Sequence, residues 1–129
     1  ILFSLKVLKR QKYYSMQLEA GKYLFDIRES IASIEQYLGH QRDFDKYKAS
    51  KLVRRAVERE LGIIGEAMTK LLKVDNSIRI SNPRRIIDLR NWVIHGYDKV
   101  DDVIIWGILT KDIPILKAEI DEIIGNIPE

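Results

Sequence analysis

Residues 20–39 read AGKYLFDIRESIASIEQYLG, and their apolar members Ala20, Leu24, Ile27, Ile31, Ile34 and Leu38 alternate steps of four and three. On a helix such steps return each side chain to one bearing, so the stretch predicts a long amphipathic helix that Gly39 can end. A second stripe, Val53, Val57, Leu61, Ile64, Met68 and Leu71, predicts a helix that begins near Asp43 or Ser50 and ends by Val74. Gly62 and Gly65 lie inside it at a cost of about 1 kcal/mol each in helix propensity, so another element is expected to pack closely on that face. Asn82-Pro83 reads as an N-cap followed by proline at the first helical position, opening a third helix that runs to His95 with Gly96 as its stop. A fourth helix is expected over Val100–Leu109, with Asp101 and Asp102 where the helix dipole favours acids. A last one is expected from about Asp112-Ile113-Pro114, carrying Ile113, Leu116, Ile120, Ile123 and Ile127. Only Ser77–Ile80 offers a weak case for a strand. The expectation is an all-α fold, an antiparallel four- to five-helix bundle with short connections and no internal repeat.

A chain of 129 residues suits one domain, and its size makes disulfide or metal staples unnecessary. The absence of cysteine removes thiol nucleophiles and cysteine-ligated metal sites from consideration. No run approaches the roughly 18 apolar residues of a membrane span. The formal charge of +3 is unevenly spread. Lys6, Lys9, Arg10 and Lys12 stand without an acid in residues 1–15; residues 42–60 and 79–90 are rich in Lys and Arg; the tail from Asp98 is acidic. Such a bipolar domain can offer a positive groove to a polyanion, and solvated helix faces would give the same composition. Residues 1–15 alternate apolar and basic side chains and read as an extension of unknown role. Met16, where helix periodicity sets in, is a possible native start, so the domain is expected over 16–129.

Chemistry has few places to reside. His40 and His95 are the only histidines, which rules out a histidine-rich metal site and leaves each as a possible proton carrier near neutral pH. His40 lies in a polar turn, Gly39-His40-Gln41-Arg42, and reads as a solvated loop residue. His95 has Arg90, Asn91 and Tyr97 for neighbours, and together they occupy roughly 160° of one helix face. They can form a reactive cluster, or His95 and Tyr97 can simply cap the helix and bond within the bundle.

Arg90-Asn91-Trp92-Val93-Ile94-His95-Gly96-Tyr97 resembles the R-x4-H-x-Y signature of HepT-like toxins in the HEPN superfamily. The resemblance extends along nearly all of 16–129. Leu61-Gly62-Ile63-Ile64-Gly65-Glu66-Ala67 is similar to that family's L-x-I-I-G-E-A helix. Val100-Asp101 with Trp106 resembles its V-D…W block, and Asp112-Ile113-Pro114-Ile115-Leu116 its D-L-P-x-L close. The chain departs from the pattern at Asn82-Pro83-Arg84-Arg85, which lacks the family's tryptophan after proline, and in residues 1–15, which have no counterpart.

The resemblance implies a metal-independent, cofactor-free endoribonuclease toxin acting in the cytoplasm beside a small MNT-type nucleotidyltransferase antitoxin. It also implies a homodimer with the motif at the interface, and Tyr97 as the acceptor of AMP groups from the partner. Read as chemistry, Arg90 can fork onto a phosphate and His95 can move a proton. Asn91 can orient the imidazole or donate to the phosphate, and Glu66 is expected to play a supporting or structural part. One histidine cannot easily be both base and acid, whereas two from a two-fold dimer could. Burial of Trp92, Val93, Ile94 and Trp106 points the same way, since one small core has limited room. Two other roles stay open: a non-catalytic, substrate-binding partner of a nucleotidyltransferase, and a structural helical dimerisation module.

Overall fold

The computed structural model describes residues 2–94 and 102–126. Its elements are α1 (Leu2–Leu38), α2 (Phe44–Ala49), α3 (Lys51–Val74), α4 (Pro83–Ile94), α5 (Asp102–Gly107), a π-helical turn (Ile108–Asp112) and α6 (Ile113–Gly125). The all-α expectation is met, with no strand among the described residues; 77–80 form irregular connection.

Both long stripes lie where periodicity puts them. Ala20, Leu24, Ile27, Ile31 and Ile34 of α1 are buried against Val57, Leu61, Ile64, Met68 and Leu71 of α3. Ile86 and Leu89 of α4, Ile105 of α5 and Leu116 and Ile120 of α6 complete the core. Gly39 ends α1 at φ +73°, a conformation that costs glycine nothing and other residues a steric penalty. The helix is continuous from Leu2, so the backbone has no break where the basic extension meets Met16.

The two candidate starts of the second helix are both used. Asp43 caps α2 by accepting the Lys46 amide at 3.2 Å, and Ser50 caps α3 by accepting the Val53 amide at 3.2 Å. Ser50 is extended, so the chain turns there between the two helices. Tyr47 is thereby driven into the interior beside Trp106, with ring centroids 5.4 Å apart, and Phe44 closes on the same indole at 5.7 Å. This aromatic cluster fixes α5 against α2.

Two expectations about helix ends need correction. Asn82 does not adopt the extended conformation of an ordinary N-cap; its φ is +51°, and Pro83 opens α4 as expected. The amide of the preceding Ser81 is instead taken by Glu119 Oε2 at 2.9 Å, which ties the start of α4 to α6. The fourth and fifth helices are also one continuous rod from Asp102 to Gly125, joined through the π-turn. Pro114 supplies the reason, because in an α-helix its ring would strike the Thr110 carbonyl four residues back. Widening the preceding turn, so that the Ile113 amide reaches the Ile108 carbonyl, relieves that collision without ending the helix.

The π-turn carries Asp112, only 8% exposed, whose carboxylate meets Arg85 Nε of α4 at 3.3 Å. The pair is lopsided, because Asp112 is the buried member while the Arg85 side chain is 48% exposed and can turn to solvent when the anion is removed. Asp112→Ala is expected to lower stability by no more than about 1 kcal/mol, the scale of a partly exposed ion pair. Urea unfolding should show this as a lower midpoint at an unchanged slope, and an unchanged midpoint would contradict it.

Candidate active site

The site residues are positioned by the α3/α4 hairpin. Nine residues separate Gly65 from the end of α3 at Val74, and seven separate Arg90 from Pro83 at the start of α4, so the two meet at similar distances from the connection. A Cβ built on Gly65 would fall 2.4 Å from Arg90 Cβ, 3.0 Å from Arg90 Cγ and 3.2 Å from the Ile86 carbonyl oxygen. Only the missing side chain lets the helices approach so closely. The expectation of close packing therefore holds at Gly65. It fails at Gly62, where a Cβ would meet nothing within 4 Å.

The backbone contact places the start of the Arg90 side chain in the helix seam. Arg90 is half-buried; its Nη1 donates to Asn91 Oδ1 at 3.3 Å, while its Nε is sealed from solvent and has no acceptor among the described residues. A buried guanidinium N–H without a partner is costly, and because solvent cannot reach it an external anion could engage Arg90 only through its Nη groups. Asn91 is half-buried beside it, so these two sequence-predicted residues do come together.

Glu66 follows Gly65 by one residue and so lies about a quarter turn away from the Arg90 contact. It is exposed and pairs with Lys70 at 3.2 Å, on a surface shared with Lys22, Tyr23 and Asp26 of α1. His95 and Tyr97 lie outside the described residues, as do Gly96 and the start of the predicted fourth helix. His40 is exposed in the turn after α1. Among the described residues no three His, Asp or Glu side chains are gathered as a metal ion would need, and no helix is long and apolar enough to cross a membrane.

Two supports of the site leave no trace in residue spacing. The Arg85–Asp112 pair braces α4 against the rod that carries the π-turn, five residues before Arg90. The Phe44–Tyr47–Trp106 cluster anchors α5, where the chain returns after residues 95–101. Burial, and then the nearby carboxylates of Glu58 and Asp102, push the Tyr47 phenol far above its usual pKa, and Arg54 pulls the other way. Tyr47 is thus a neutral, packed residue.

The family described as "Ribonuclease HepT-like" matches residues 27–123. The chain is 32% identical over 103 residues to "Putative RNase MJ1380" of Methanocaldococcus jannaschii, covering 77% of this chain and 91% of that one. It is 32% identical over 105 residues to "Probable ribonuclease HepT" of Thermococcus cleftensis, covering 78% and 92%. A third relative, "Gamma-glutamylcyclotransferase and putative RNase MJ0434" of M. jannaschii, is 34% identical over 113 residues, half of that longer protein. No solved structure matches the chain.

Proposed function

The chain belongs to the HepT-like ribonuclease family, and from that premise we propose that it is a metal-independent endoribonuclease toxin whose working residues are Arg90 and His95. The observation that carries the reading is Arg90 itself. It is held in the seam by Gly65, with its Nη1 steadied by Asn91, at the first position of the R-x4-H-x-Y signature.

The chemistry asks for three things. A base takes the proton from a ribose 2′-hydroxyl, the freed oxygen attacks the adjacent phosphorus, and the 5′-oxygen leaves as an acid returns a proton to it. The negative charge that builds on the phosphorane is met by a cation, the role of Arg90, which can offer two parallel donors. The imidazole of His95 supplies one proton transfer, and the same residue of a second copy across a two-fold axis supplies the other. Asn91, which already engages the Arg90 guanidinium, keeps that fork in place. The product is an RNA end carrying a 2′,3′-cyclic phosphate, and end-labelled RNA incubated with excess chelator tests for it. RNA left intact would return the protein to a non-catalytic, RNA- or partner-binding role.

The mechanism requires a homodimer. Sedimentation at micromolar concentration is expected to give twice the 15.1 kDa chain mass. A monomer would remove the two-histidine scheme.

Tyr97 is proposed as the control point. Its phenol oxygen would attack the α-phosphorus of ATP held by a partner nucleotidyltransferase, with pyrophosphate leaving and the phenolic proton lost. The added AMP brings a negative charge and a base to the neighbourhood of Arg90, where it competes with RNA. Co-expression with the neighbouring nucleotidyltransferase should yield protein heavier by whole AMP units on Tyr97 and without nuclease activity. Intact-mass spectrometry decides this, and a Tyr97→Phe protein still silenced by the partner would point to inhibition by binding alone.

A further inference from the structure

A concavity of about 310 Å³ opens where the end of α1, the turn into α2 and the start of α3 meet α5. That volume is at the lower end of the roughly 300–1,000 Å³ of small-molecule sites. Its walls are aromatic, with Tyr37 from α1, Tyr47 from α2 and Trp106 from α5, and Leu38 and Val53 complete the apolar lining. Trp106 packs on Phe44 and Tyr47 yet is only half-buried, and Tyr37 is 41% exposed, so both keep ring surface for a ligand. Tyr47 offers no donor to such a ligand, because its hydroxyl is sealed from solvent. Two charged side chains, Asp43 and Lys46, line the same cavity and are exposed. Asp43 is held in place as the cap of α2, its Oδ1 accepting the Lys46 amide at 3.2 Å. Each carboxylate oxygen can accept more than one bond, so both can still receive donors from a ligand.

Accessible aromatic rings suit a planar ring that can stack on them. A carboxylate suits two adjacent N–H donors on the edge of that ring, and an ammonium beside it suits a carbonyl oxygen. Guanine combines these features, with N1–H and the 2-amino group side by side and O6 next to them. Adenine and cytosine place a lone-pair nitrogen beside their amino group, which the carboxylate would repel, and uracil sets a single N–H between two carbonyls. We propose that this cavity is a guanine pocket, in which the base stacks on Tyr37 and Trp106, donates from N1–H and the 2-amino group to Asp43, and accepts at O6 from Lys46. A free guanine nucleotide and a guanosine within an RNA strand present the same edge. Only the strand-borne form rests on the ribonuclease reading, to which it would add a base preference.

The test titrates the whole protein with GMP, AMP, CMP and UMP by isothermal titration calorimetry. GMP is expected to bind about tenfold more tightly than the other three, the scale of one good bidentate contact to a base edge. Asp43→Asn keeps the cap of α2, since asparagine caps as well as aspartate, but puts a donor where guanine needs an acceptor. GMP affinity should then fall about tenfold, to the level of AMP, with AMP unchanged. Tyr37→Ala removes an exposed stacking surface and should weaken GMP about tenfold, as loss of base–aromatic stacking does. Arg55→Gln, outside the cavity, should change none of these affinities. GMP that binds no better than the other nucleotides, or as well to both cavity variants as to wild type, overturns the pocket. A 2′-O-methyl oligoribonucleotide, which has no free 2′-hydroxyl to react, separates the two sources. Displacement of GMP by an oligonucleotide that contains guanine, and not by one that lacks it, assigns the strand-borne base; displacement by neither assigns the free nucleotide. GMP selectivity in protein that cleaves no RNA leaves the pocket standing without the ribonuclease reading, and cleavage without GMP selectivity leaves the ribonuclease reading standing without the pocket.

Discussion

With His95 replaced by alanine, cleavage of labelled RNA in excess chelator is expected to fall by about 10²–10⁴-fold, the contribution of a positioned acid or base. Arg90→Ala should fall by a comparable factor, because a lost charge stabiliser at the reacting phosphate costs about 10²–10³-fold. Arg90→Lys is the more informative partner. It keeps the charge and loses the two-pronged donor, and its buried Nε has no lysine equivalent, so activity should lie between wild type and alanine. Cleavage by His95→Ala at the wild-type rate would sink the mechanism. Cleavage by wild type that chelator alone abolishes would indicate a metal enzyme.

The second large effect is steric and separates two glycines three residues apart. Gly65→Ala would place a methyl 2.4 Å from Arg90 Cβ and close to the Ile86 backbone, neither of which can give way as the end of a flexible chain would. Overpacking of this kind costs about 1–3 kcal/mol or more, which outweighs the helix propensity that alanine gains. The variant should melt several degrees lower, and its nuclease activity should drop as Arg90 is pushed from the seam. Gly62→Ala meets open space, so it should stabilise the protein by up to about 1 kcal/mol with activity intact. Equal melting temperatures for the two variants would show that the α3/α4 approach is looser than described.

Periodicity revealed the core because burial follows the helical repeat directly. Ala20 through Ile34 and Val57 through Leu71 needed only their spacing to be assigned to the interior. It did not reveal the π-turn, since Ile105, Leu109, Asp112 and Leu116 step by four, three and four as they would in an unbroken α-helix. The cue was Pro114, read as the start of a helix when it lies inside a rod that widens to admit it. The two glycines of α3 looked alike for a related reason: a missing Cβ signals possible proximity, but the neighbour that uses it comes from α4, far along the chain. Of the site, Arg90 and Asn91 were legible from the motif. His95 and Tyr97 lie outside the described residues, so their expected roles rest on the signature and on chemistry.

The π-turn also shifts the phase of the rod that contains it. Each residue there advances the helix by less than the usual 100°, so residues after it lag behind the bearing an α-helix would give them. The side chains before the turn address one set of neighbours, with Trp106 against Phe44 and Tyr47. Those after it address another, with Lys117 on Glu35 and Asp121 on Arg28. At the junction Asp112 reaches Arg85. One rod thus acts as a hub for α2, α4 and α1 in succession. Summed over 108–112 that lag comes to about one residue's rotation, so a single-residue deletion there that restored α-helical geometry would leave both faces on their partners while returning the Pro114 ring to a carbonyl it now avoids.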